Sequence, residues 1–283
     1  MGVMFSAHLE RRASMFSAIR SAALGAAVVA VIGMSASAAT VVTFQDGATS
    51  SLWSGAYDGT QDATMNWGGA ANNNTGGSWI MSTTGLAVHS LLQFDISSLA
   101  GKGTIDSATL KLTRRSIGAN DQTYNVYIYQ LADANAGWQQ GTGTGSAATA
   151  GDVTWNNRIH SSTPWAGSAG ASTAGTDYIS TPVATISYEA NVANGLVYEI
   201  PLSNTLIEHW ISGPNAGLII MAEDGTYGSQ DAGFFTSEAG LVDGFGTTAD
   251  RPLLEVTYTP VPEPATGALI LLAGAGLAIR RKR

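Results

Sequence analysis

The chain has 283 residues, no cysteine, 13 Lys or Arg against 21 Asp or Glu, and a formal charge of −8. The lack of cysteine excludes disulfides, thiolate zinc sites and cysteine nucleophiles. Between residues 39 and 260 the balance is six basic to nineteen acidic residues, a charge of −13. That surface argues against nucleic acid and anionic lipid as partners, because phosphate binding needs clustered Lys or Arg.

The first segment reads as a leader. Ser21–Met34 carries no charge and is mostly Ala, Val, Ile, Leu and Gly; Arg11, Arg12 and Arg20 precede it and Ser35-Ala36-Ser37-Ala38-Ala39 follows. A basic start, a short apolar helix and an A-x-A site describe a secretory signal peptide over residues 1–38. Signal peptidase is the implied partner, with Ala36 and Ala38 as its recognition positions and Ala39 as the alternative cut. Either Met1 or Met15 serves as the start.

Residues 39–259 read as one all-β domain, an antiparallel β-sandwich of jelly-roll type with one short helix. Val88–Ile96, Ser107–Thr113 and Tyr124–Leu131 alternate apolar and polar side chains with the period of a strand. Weaker strand patterns cover Val41–Phe44, Trp79–Ser82, Val183–Tyr188, Leu196–Ile200, Gly217–Ala222, Ala232–Thr236 and Leu253–Tyr258. Ser203 or Asn204 caps a helix whose face is Leu206, Ile207, Trp210 and Ile211, stopped by Gly213-Pro214. Trp53–Gly77 and Gly141–Asp177 are rich in Gly, Asn, Ser and Thr and read as loops.

Those loops hold the candidate sites. Pyranose rings stack on exposed aromatic faces beside polar amides, which singles out Trp53, Trp67, Trp138 and Trp165, with Tyr57 and Trp79 nearby. Arg115, with Lys111 and Arg114, is the one cationic cluster able to meet an acidic polymer. Two acidic clusters could supply the oxygen ligands of Ca²⁺: Asp46, Asp58 and Asp62, and Glu223, Asp224 and Asp231, with Asp46 or Asp224 the expected ligand. No Ser or His sits in a recognisable catalytic context. Arg158, His160 and Tyr178 imitate a polysaccharide-lyase set only by proximity along the chain.

The last segment, residues 260–283, opens with Pro262-Glu263-Pro264, continues with an uncharged run from Ala265 to Ile279, and ends Arg280-Arg281-Lys282-Arg283. As a helix that run spans roughly 22 Å, short of a ~30 Å hydrocarbon core, and its basic end would stay cytoplasmic. The three-part pattern resembles the PEP-CTERM sorting signal of Gram-negative bacteria. The resemblance implies transient inner-membrane anchoring as a transmembrane helix, then processing by an exosortase-type peptidase and release to the cell surface or extracellular matrix.

The middle domain also resembles a family. Leu91-Leu92-Gln93-Phe94-Asp95-Ile96, Ser107-Ala108-Thr109-Leu110, Asp152-Val153-Thr154-Trp155, Thr236-Ser237-Glu238 and Arg251-Pro252-Leu253-Leu254-Glu255-Val256 stand in the order of a DNRLRE domain. Such domains are secreted β-sandwiches similar to carbohydrate-binding modules. The chain departs from the family's Trp-x-Glu-Gly turn, carrying Trp138-Gln139-Gln140-Gly141. The resemblance implies exopolysaccharide association without catalysis. A purely structural or adhesive surface protein is the alternative, and a lyase or glycoside hydrolase the third reading.

Overall fold

The strands of this chain form because short β-branched and aromatic runs alternate with glycine turns, and because each sheet finds an apolar face to cover. The computed structural model describes residues 37–115, 123–189, 192–223, 232–241 and 245–261. In chain order its strands are β1 (Thr40–Phe44), β2 (Thr60–Asn66), β3 (Asn73–Asn74), β4 (Ile80–Thr83), β5 (Val88–Phe94), β6 (Gly103–Thr113), β7 (Thr123–Gln130) and β8 (Ser146–Ala147). They continue with β9 (Asn157–Ile159), β10 (Thr163–Pro164), β11 (Ala184–Glu189) and β12 (Val197–Leu202). A helix, α1 (Asn204–Ser212), precedes β13 (Leu218–Ala222), β14 (Ala232–Phe235) and β15 (Leu253–Pro260).

Two antiparallel sheets make the sandwich: a four-stranded sheet ordered β1-β15-β6-β12 and a five-stranded sheet ordered β11-β7-β13-β5-β2. The all-β sandwich expected from the sequence is therefore present, with a single α-helix among the described residues. Alternate residues of the two sheets meet in one core, including Phe44, Leu92, Phe94, Leu110, Val126, Ile128, Leu254 and Val256. Each such side chain stabilises the fold by about 1.5–3 kcal/mol on burial.

The five-stranded sheet is covered on both faces. All five residues of β13 are buried: Leu218 and Ile220 face the inter-sheet core, while Ala216, Ile219 and Met221 meet a second core with Trp138, Val153, Trp155 and Trp165. The segment expected as a bare loop after Gly141 thus folds as a packed cover. Buried Asp177 organises it by accepting backbone N–H groups of Gly167 (2.8 Å), Ser168 (2.9 Å) and Thr173 (2.9 Å). Gly170 has a positive φ of 76°. A Cβ there would lie 2.5 Å from the Trp155 ring, so only glycine lets the chain cross that indole.

The helix forms as its pattern predicts. Ser203 is the cap, accepting from Leu206 N–H at 3.2 Å, and Leu206, Ile207 and Trp210 are buried. Asn204, the alternative cap, instead donates to Ile105 O at 3.0 Å, tying the helix to β6. One strand differs from expectation: β2 lies inside the segment Trp53–Gly77 read as a loop. It forms the edge of the larger sheet, paired with β5 from Thr60↔Phe94 to Asn66↔Val88.

Candidate ligand-binding cleft

The cleft is built by the segment between β1 and β2. Gly47 N–H bonds Tyr57 O at 2.8 Å and Tyr57 N–H bonds Ala48 O at 2.7 Å, closing residues 47–57 into a hairpin that folds back on β1. The Trp53 ring sits 5.2 Å from Phe44 and 5.3 Å from Tyr57, with Tyr57 edge-on to Phe44 at 5.5 Å. Its indole N–H points to Ala48 O at 3.4 Å. Gly59 is obligatory beside this stack, because a Cβ there would lie 2.9 Å from the Tyr57 ring.

The opposite wall is the end of β5. Asp95 N–H bonds Gly59 O at 2.9 Å, and the Asp95 carboxylate accepts Ser97 N–H at 3.0 Å, the turn role its place at a strand end suggests. A 3-10 turn, Ser97–Leu99, follows, anchored by buried Leu99. Between the walls lies a cleft of about 150 Å³ lined by Trp53, Tyr57, Asp58, Asp95, Ser97 and Ser98. The Tyr57 hydroxyl and Ser98 Oγ are buried, the former beside Asp95 N–H and the Thr60 side chain. Burial, then the negative charges of Asp46 and Asp95, push the Tyr57 phenol far up against the lowering pull of those two groups, so it keeps its proton and remains a donor.

Other candidates fall elsewhere. Trp138 (0 % exposed) and Trp165 (4 % exposed) belong to the second core. Their indole N–H groups bond Ala216 O at 2.9 Å and Thr154 O at 3.1 Å. Neither has a ring face for a sugar; the expectation fails because the long loop that carries them packs onto a sheet. Trp67 is 68 % exposed just after β2. Arg115 lies over the Trp79 ring at 4.9 Å, and Trp79 stacks on Phe245 at 4.1 Å. This stack stands near a second hollow of about 280 Å³ lined by Arg115, Asn194, Phe235 and Asp250. The expected basic cluster is dispersed: Lys111 pairs with Glu199 (3.4 Å) and Glu255 (3.7 Å), and Arg114 is buried with its Nε on Glu189 O at 2.8 Å.

Asp46, the expected Ca²⁺ ligand, accepts Thr60 N–H at 3.1 Å; burial raises its pKa, against the lowering pull of Thr60 and Arg251. Among the described residues no three His, Asp or Glu side chains gather as a ligand set, and Asp224 lies outside the described residues. Asp62, the third acid of that cluster, is instead wholly buried, with Oδ2 accepting Ser237 N–H at 2.8 Å. Glu238 accepts Gln140 Nε2–H at 2.5 Å and Ser237 Oγ–H at 3.1 Å. One oxygen of each carboxyl has no partner. Burial, then the charge of Glu238, raises Asp62; burial also raises Glu238, against hydrogen bonds from Thr236, Ser237 and Gln140. The Arg251 guanidinium bonds Ala239 O and Asp46 O, each at 2.9 Å.

Each member of the lyase-like set has a structural contact. Arg158 Nη1 donates to Ala136 O, His160 N–H bonds Asp152 O at 2.8 Å, and Tyr178 packs on Tyr129 at 4.7 Å. Sequence reading found Trp53 and Tyr57 but missed the facing wall. The strand-end motif Phe94-Asp95-Ile96-Ser97-Ser98 was its only local signal.

At the termini, Ala38 is exposed ahead of β1, while Ala36 lies outside the described residues, as do Pro262, Glu263, Pro264, Arg280, Arg281 and both terminal apolar runs. Among the described residues no helix is long and apolar enough to cross a membrane. Residues 260–283 match the model of the PEP-CTERM protein-sorting motif. The motif indicates exosortase-dependent export, and a cell-surface or extracellular location. No curated protein sequence matches the chain.

Proposed function

We propose that the exported protein is a non-catalytic component of the cell surface or extracellular matrix whose sandwich associates with extracellular polysaccharide. The observation that carries this reading is the Trp53–Tyr57 cleft. It places aromatic surface beside carboxylates and hydroxyls, the combination that stacks a sugar ring and holds its hydroxyl groups. The motif resemblance of residues 39–259 to DNRLRE domains agrees with it. Delivery runs through signal peptidase at Ala36-x-Ala38 and a transient inner-membrane anchor before the exosortase-type step.

The test is retention of the domain on a panel of neutral and uronic-acid polymers. Retention on at least one is the expected result. Failure on all of them assigns the structural or adhesive role instead, and release of reducing ends or unsaturated products assigns an enzyme.

A further inference from the structure

Building on the polysaccharide reading, we infer that the Trp53–Tyr57 cleft takes an uncharged pyranose unit and rejects uronic acids. The argument starts from what surrounds the cleft. Exposed Asp58 and Asp95 line it, and Asp46 lies close enough for its charge to act on Tyr57. Among the described residues, no Lys or Arg lines it. A carboxylated sugar placed there meets like charge at short range, which disfavours binding.

A neutral sugar meets complementary groups. Its hydroxyls are donors, and the two carboxylates are strong acceptors for them. Ser54 and Ser97 line the same cleft beside the carboxylates, so polar groups flank the aromatic surface on both sides. Trp53 is only half-buried, so part of its ring remains for the apolar face of the sugar. The void of about 150 Å³ is on the scale of one ring rather than a folded oligomer, so the polymer would pass through with a single unit seated.

The hollow beside the Arg115–Trp79 stack differs in holding both a guanidinium and a carboxylate, Arg115 and Asp250.

Calorimetric titration of the purified domain with neutral and uronic-acid oligosaccharides of equal length tests the inference. Neutral oligomers are expected to bind at least tenfold more tightly. Asp58→Asn should weaken neutral binding several-fold and narrow the discrimination, because Asp58 is exposed and its loss leaves the fold intact. Trp53→Ala should abolish binding at the cleft; an unchanged circular dichroism spectrum and melting curve certify that variant, and Asp58→Asn decides the matter if it unfolds. Uronic oligomers binding as tightly as neutral ones overturns the inference. So does neutral binding unaffected by Asp58→Asn and by a folded Trp53→Ala, although the domain's association with polysaccharide then stands. Absence of binding to every oligomer and polymer removes the broader reading instead.

Discussion

Two buried carboxyl groups pull stability in opposite directions as pH changes. Asp62 is raised by burial and by Glu238, so the folded state holds its proton more tightly than the unfolded chain. The stability this proton contributes is fully present below about pH 4, the ordinary carboxylate value, and is lost as pH rises through the raised folded value. Asp177 is the reverse case. Burial pushes it up, but hydrogen bonds from Ser168, Thr173, Asn135 and Gly167 outweigh that and hold it low, so its contribution is present above about pH 4 and fades as pH falls through the lowered folded value. Asp62→Asn keeps an acceptor for Ser237 N–H and gives the pair a donor toward Glu238. It should stabilise the domain at pH 7–8 by about 1–3 kcal/mol, the usual penalty of an unpaired buried polar atom, with the advantage gone below about pH 4. Asp177→Asn should destabilise at neutral pH by a similar margin and converge with the parent in acid. Urea melts of both variants across pH check this; parallel curves for parent and Asp62→Asn would refute the account of the pair.

Strand β2 shows how an element is held when its own composition argues against it. Its inward residues Thr60, Asp62 and Thr64 are all polar, yet buried, and among the described residues no strand pairs with its outer edge. Side chains close that edge: Gln140 Oε1 accepts Asp62 N–H at 2.9 Å, and Thr75 Oγ1 accepts Thr64 N–H at 2.8 Å. Covering an edge this way blocks pairing with other chains. Gln140→Ala should therefore cost about 2 kcal/mol through the orphaned Asp62 N–H and Glu238 carboxylate, and amide exchange should quicken at residues 60–66 before the rest of the sheet. For α1 the corresponding test is Ser203→Ala, expected to cost about 1 kcal/mol, read from the melting temperature. The helix was legible because its cap, face and stop all lie within twelve residues. Strand β5 was legible because Leu92 and Phe94 alternate with polar positions. Strand β2 was not, because partners 11 to 78 residues away hold it. For the same reason Trp138 and Trp165 read as displayed aromatics although the fold buries them, and the Asp95–Ser98 wall of the cleft stayed hidden until β5 met the Trp53 hairpin.

At the scale of the whole domain, the first and last strands are neighbours. β1 pairs antiparallel with β15, from Thr40↔Tyr258 to Phe44↔Leu254, so both ends of the sandwich leave from the same end of one sheet. On its other side β15 pairs with β6 as far as Pro260↔Gly103, with a register shift between Thr257 and Tyr258, and Val261 N–H still bonds Lys102 O at 3.0 Å. Proline is tolerated at that last position because nothing further along the ladder needs its missing N–H. The matched sorting motif begins at residue 260, so the last residue of β15 is the first residue of the motif. Residues 39–261 hold both cores, and a chain cut to that range should fold on its own with a cooperative melt. Ending it at Leu253 instead removes the central partner of β1 and β6, strips Leu254 and Val256 from the core, and should leave no cooperative transition. Thermal melts of the two truncations followed by circular dichroism decide it: a cooperative melt in the shorter chain would show that β15 is dispensable and that the sandwich closes without it.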